Sequence, residues 1–163
     1  MSQDQKISDQ VVVFVLDGQR YAQRLEVVER VVRAVAVTPV PETPAFILGV
    51  INLAGRLLPV ISLRRCLGLP DRPVRPADQF MITRTSQLTV ALVVDEVEAL
   101  QVLTSARAVS PEDVLPGQGY RVRGLLKLEG DVILIYDLEQ FFDLEDQERI
   151  RAAQSGSGPE ETK

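Results

Sequence analysis

Apolar residues in this chain gather in short runs separated by glycine, proline or small polar clusters. The clearest runs are Gln10–Leu16, Arg20–Leu25, Val27–Val37, Gln79–Arg84, Leu88–Val94 and Glu98–Leu103. Their length and their content of valine and isoleucine predict β-strands. Asp17-Gly18 lies between two of these runs and predicts a hairpin, and Thr85-Ser86-Gln87 marks a second reversal. Leu57–Ile61 and Val132–Tyr136 are apolar throughout, the pattern of strands covered on both faces.

Two segments of this pattern repeat. Gly49–Leu69 aligns without a gap on Gly124–Leu144, with identities at Gly49 and Gly124, Leu53 and Leu128, Gly55 and Gly130, Leu63 and Leu138, and Leu69 and Leu144. Each copy reads as strand, tight turn, strand and short helix. Ala54-Gly55 and Glu129-Gly130 sit where a hairpin must reverse, and glycine tolerates the positive φ required there. Pro59 removes one ladder hydrogen bond, so its strand should lie at an edge or pair irregularly. Ser62 and Asp137 occupy equivalent N-cap positions. The helices that follow would bury Leu63, Cys66 and Leu67 in one copy and Leu138, Phe141 and Phe142 in the other, with Gly68 ending the first. Gly49 reads more simply as a turn residue than as a point of close backbone approach. Thr43-Pro44 and Ser110-Pro111 both have the grammar of a helix start.

The pattern therefore predicts an all-β chain of two lobes in tandem, each of about five short strands, spanning roughly 10–75 and 76–145. Exchange of strands or helices between the lobes is left open. Pro70–Pro76 is the expected bridge, and charged and small residues past 150 predict a disordered tail over 151–163.

Composition narrows the chemistry. The chain has no histidine, which removes the commonest general base and transition-metal ligand. The single Cys66 can form no internal disulfide and suits a small core position in a cytosolic protein. A net charge of −5 argues against nucleic acid and anionic membrane as partners. No apolar run approaches the roughly 20 residues that span a bilayer, and Met1–Gln5 lacks the basic and apolar regions of a signal peptide. No catalytic, metal or cofactor constellation emerges. Asp95, Glu96 and Glu98 read best as a solvated acidic edge that blocks sheet-to-sheet association.

The run Thr43-Pro44-Ala45-Phe46-Ile47-Leu48-Gly49-Val50-Ile51-Asn52-Leu53-Ala54-Gly55, followed by Leu58-Pro59-Val60-Ile61-Ser62-Leu63-Arg64, resembles the central signature of the CheW family. The likeness extends from Val12 to Phe142 and takes in Val93-Val94-Asp95-Glu96-Val97 and the Gly124–Leu138 block. It implies two SH3-like five-stranded β-barrel lobes with short connecting helices, within one CheW-like domain over 10–150. It also implies a cytoplasmic, non-enzymatic adaptor at membrane receptor arrays, linking the signalling tip of chemoreceptors to the regulatory domain of a CheA-type histidine kinase. Other CheW-like proteins in a ring would be further partners.

Two positions depart from the family pattern. Ala54 stands where the family usually has arginine, and Arg30 stands where it often has an acidic residue. The interface candidates are Val28, Arg30, Val31, Asn52, Ala54 and Arg56. The competing structural readings are strand core for the valines, solvated strand ends for the arginines, and turn chemistry for Asn52. Two other readings stay open: a small-molecule-binding regulatory module, which requires a closed polar pocket, and a stand-alone kinase decoy or inhibitor.

Overall fold

The computed structural model describes residues 10–85, 88–102, 107–109, 122–128 and 131–136. The Glu129-Gly130 turn, the Asp137 cap and its helix, the Ser110-Pro111 segment and the 151–163 tail lie outside the described residues. The strands are β1 (Gln10–Leu16), β2 (Gln19–Arg24), β3 (Val28–Arg33), β4 (Ile47–Leu53), β5 (Arg56–Ser62), β6 (Gln79–Arg84), β7 (Thr89–Val94), β8 (Glu96–Val102), β9 (Arg107–Val109), β10 (Val122–Leu128) and β11 (Asp131–Tyr136). A short helix, α1 (Leu63–Leu67), follows β5, and a single 3-10 turn, Leu25–Val27, precedes β3. Ser62 caps α1 as its sequence suggests, its Oγ accepting from the Arg65 N–H at 3.3 Å, and Gly68 ends it at φ 73°. The Thr43-Pro44 segment forms a turn instead of a helix. The Ile47 N–H donates to the Pro44 carbonyl, and the Thr43 hydroxyl donates back to the Val40 carbonyl.

The strands form two sheets. The first runs β8-β1-β2-β11-β10-β9 and the second β3-β6-β7-β5-β4. The mostly β, two-sheet architecture is the one the sequence implies; among the described strands the two barrel-like sheets stay open, and the first holds six strands. In the second, the chain leaving β3 reaches the opposite edge only at Thr38, which exchanges two 2.9 Å backbone hydrogen bonds with Val50 of β4. Pro39 and Pro41 follow at once and cannot donate, so this contact does not grow into a ladder.

Sheet membership does not follow the tandem halves 10–75 and 76–145. The β1–β2 hairpin pairs with strands of the second half, and the β6–β7 hairpin completes the sheet built on β3, β4 and β5. The repeat is nonetheless carried through in register. Leu48 is the extra residue where the β4–β5 ladder shifts between Ile47 and Gly49, and Arg123 is the extra residue between Val122 and Gly124 of β10. Val50 meets Thr38, and its counterpart Leu125 meets Val109. β5 runs parallel to β7, and β11 runs parallel to β2. Glu29 is the bulge residue where β3 meets β6, and Glu98 is the bulge residue where β8 meets β1. Each sheet is thus the hairpin of one repeat joined to the remaining strands of the other.

This exchange explains why so many strands lack polar alternation. Val11 and Val13 of β1 face a core within the first sheet, together with Ala22, Ile133 and Ile135. Val12, Phe14 and Leu16 face the opposite way, into a central cluster with Met81, Val90, Leu92 and Val94 of the second sheet. Ile51, Leu58, Val60, Phe80, Ile82 and Ala91 fill the core within the second sheet. Three apolar layers alternate with two sheets, so the inner strands are apolar on both faces. Each fully buried aliphatic side chain contributes roughly 1.5–3 kcal/mol by its removal from water. In the central layer the Phe14 and Tyr21 rings stack with centroids 5.8 Å apart. Burial, reinforced by the Asp17 charge, raises the Tyr21 phenol above its usual range.

Pro59 sits in a strand with neighbours on both sides and not at an edge. Val50, opposite it, spends its backbone groups on Thr38, so the Pro59 nitrogen faces β7. The β7 ladder begins one residue later, at Val60.

Candidate functional site

β3 and the β4–β5 turn lie at opposite edges of the second sheet, and its curl brings them together. Val28 and Val31 of β3 are half-buried against the central apolar layer. Between them the alternation breaks: the bulge makes Glu29 an extra residue and re-aims its side chain. The Glu29 carboxylate accepts from Arg56 Nη1 of β5 at 3.1 Å, and Arg84 Nε of β6 lies 3.6 Å from its other oxygen. Arg84 Nη2 also donates to the Glu26 carbonyl at 3.0 Å, tying the 3-10 turn to the same end of the sheet. A latch of one acid and two arginines therefore joins β3, β5 and β6.

The remaining candidates border this latch. Asn52 is engaged locally, its Oδ1 accepting from the Gly55 N–H at 2.8 Å. Ala54 and Gly55 both adopt positive φ, 53° and 88°, the signature of a two-residue primed turn between Leu53 and Arg56. Arg30 is exposed beside Glu29, with no ion-pair partner among the described residues. The structure thus brings Arg56 to β3, leaves Arg30 in solvent and commits Asn52 to the turn. Glu29, the centre of the latch, is absent from the sequence-derived candidates. Its signal is the Val28-Glu29-Arg30-Val31 pattern, in which two polar residues between core valines mark a bulge.

A second charged cluster lies where the chain crosses between the sheets. Arg64 of α1 donates from Nη2 to both Asp95 oxygens, at 3.1 and 2.9 Å, and from Nη1 to Asp17 in the β1–β2 turn at 3.3 Å. Arg72 forks onto Asp78 with two 2.9 Å bonds and reaches Asp95 at 2.8 Å. The Asp17 N–H completes the Asp95 shell at 2.9 Å. This corrects the reading of Asp95 as part of a solvated acidic edge: its carboxylate is consumed by two guanidinium groups. Glu98 is likewise paired, to Arg20 at 2.9 Å. Burial by itself would raise the Asp78 carboxyl. Hydrogen bonds from Arg72 and the Arg75 N–H, with both arginine charges, outweigh it and hold Asp78 below the usual range. The Asp78 hydrogen bonds in turn raise Arg72. Sequence spacing could not reveal this cluster, because its members meet only when the hairpins exchange.

An open groove of about 740 Å³ lies between residues 34–37 and the 71–76 segment. Its walls are mainly apolar, and it is not the closed polar pocket that a metabolite-binding module requires. No helix among the described residues is long and apolar enough to cross a membrane.

Two open β-sheets sharing one apolar layer, with charged latches at their crossings, define a β-scaffold whose surfaces are edges and shallow grooves. Residues 10–143 match the family described as CheW-like domain, and this chain belongs to that family. It is 29% identical to chemotaxis protein CheW of Thermotoga maritima over 82% of this chain and 87% of that protein. It is also 29% identical to chemotaxis protein CheW of Bacillus subtilis, over 89% of this chain and 94% of that one. The crystal structure of the scaffolding protein TtCheW from Thermoanaerobacter tengcongensis superposes with a TM-score of 0.73. It is 30% identical, and the match covers 85% of this chain and 95% of that one.

Proposed function

We propose that this chain is a non-enzymatic scaffold coupling chemoreceptors to a CheA-type histidine kinase in chemotaxis. The observation that carries the reading is the family match, which runs through every described strand of both sheets. Within that role, the receptor's signalling tip docks beside β3, where Val28 and Val31 reach the rim of the central layer and Arg30 and Arg56 give polar selectivity. The kinase regulatory domain packs against an end of the sheets, in the cytoplasm beneath the receptor membrane. The Glu29–Arg56 pair supports coupling over the decoy reading. Arg30 and Ala54 depart from the family pattern, yet an acid on β3 and a base at the turn still meet one residue and two residues away.

Reconstitution with a chemoreceptor signalling fragment and a CheA-type kinase from the same organism tests this. Receptor-dependent kinase autophosphorylation is the expected outcome. Binding to the kinase with no activation would make the chain a decoy, and binding to neither partner would end the adaptor reading.

A further inference from the structure

We infer that the groove beside residues 34–37 is a docking site for an extended, acidic–apolar peptide segment of a partner protein, added as a strand to the open edge at Val35–Val37. Ala34 still pairs, its N–H donating to the Asp78 carbonyl at 3.0 Å, and Thr38 pairs with Val50. Between them, the N–H groups of Val35, Ala36 and Val37 meet no hydrogen-bond partner among the described residues. An extended edge with free backbone groups is a template for strand addition. The side chains fit such a guest. Val35 is 48% exposed, one of two large hydrophobic residues so exposed among the described residues. Leu48, the β4 bulge residue, and Val74 line the same groove. Pro73 and Pro76 on the facing wall carry no N–H and cannot compete for the guest's carbonyls.

Charge sets the sign of the guest. Arg65, Arg72 and Arg75 line the groove against a single acid, Asp71. Asp71 holds Arg65 at 2.9 Å, and Asp78 holds Arg72 at 2.9 Å. The Arg75 guanidinium is left without an ion-pair partner among the described residues, on a chain whose net charge is −5. A carboxylate flanking the guest's apolar residue satisfies it.

The test uses the full-length chain, labelled with nitrogen-15, and an acetylated nine-residue peptide alternating valine and glutamate. The expected result is saturable shifts across Val35–Val37, at least roughly tenfold slower exchange at alternate amides of that edge, and roughly tenfold weaker binding in Arg75→Glu, the scale of one charged hydrogen bond. Arg75 engages Asp78 through its backbone N–H, so this variant keeps that contact. Three results would overturn the proposal. One is amides already protected in the free chain, which would mean the chain covers its own edge. Another is equal binding of the peptide with lysine in place of glutamate. The last is the same shifts produced by free valine and glutamate, which would make the groove a small-molecule site. None of these bears on kinase coupling, which the reconstitution decides separately.

Discussion

Gly49 shows how one residue can depend on a contact far from it in sequence. Its φ is 149°, and a Cβ there would overlap the Thr38 carbonyl oxygen and stand 2.7 Å from the carbonyl carbon. The sequence favours a turn because the glycine precedes a hairpin. The real constraint is the bridge at Val50, which draws another strand segment onto this spot and is invisible to local spacing. Gly49→Ala is expected to cost about 3 kcal/mol or more, combining backbone strain with the displaced bridge, read as a lowered urea midpoint. Ala54 is the opposite case, legible from the Ala-Gly pair alone. A non-glycine residue at φ 53° carries a left-handed penalty that asparagine bears more easily. Ala54→Asn should raise stability by about 0.5 kcal/mol, with the Asn52–Gly55 hydrogen bond retained. A fall in the urea midpoint would mean the turn is constrained by something other than its own φ.

At the scale of elements, the latch on β3 gives the sharpest comparison between pattern and structure. Most strand positions, the Asp17-Gly18 and Ala54-Gly55 turns, the α1 cap and the repeat are legible because each rests on short-range periodicity or turn chemistry, whereas the apolar run Val27–Val37 overshoots β3, which stops at Arg33. The Glu29–Arg56 contact was not, because β3 and β5 are not neighbours in the sheet and meet only through its curl. Both groups are partly solvated, with side-chain exposures of 24% and 50%, so solvent screening keeps the pair weak. A double-mutant cycle with Glu29→Ala and Arg56→Ala should return a stability coupling of about 0.5 kcal/mol. The same variants should reduce receptor-dependent kinase activation far more than they reduce folding. A cycle that instead returned several kcal/mol, with activation unchanged, would make the latch part of the fold and not of the interface. The Glu98–Arg20 pair on the equivalent bulge is a natural control, since it lies on the other sheet.

The molecule as a whole is held by the exchange of hairpins, and its charged crossing is where acid should act first. A repeat can be read from sequence, but which hairpin joins which sheet depends on tertiary packing. The continuous apolar runs carry part of this, since strands shared between two cores need both faces apolar. Asp95, Arg64 and Asp17 tie the β1–β2 turn of the first sheet to α1 of the second, and Arg72 extends this cluster to Asp78. Asp78 is 4% exposed at its side chain and titrates below its ordinary range. The unfolded chain takes up that proton near pH 4, while the folded chain holds it off until lower pH. Between the two values the unfolded state binds more protons, so stability falls as pH falls. The contribution is complete above about pH 4 and disappears as pH drops through the folded value. Asp78→Asn removes the titration and leaves Asp95 as the one carboxylate on Arg72, so at pH 7 it should cost about 2 kcal/mol or more. Urea midpoints from pH 7 to 2.5 should then converge for the two proteins below about pH 4, because the wild type loses in acid what the variant never had. Parallel curves down to the lowest pH would show that the Asp78 carboxylate contributes nothing as a charge, and that the crossing is held by packing alone.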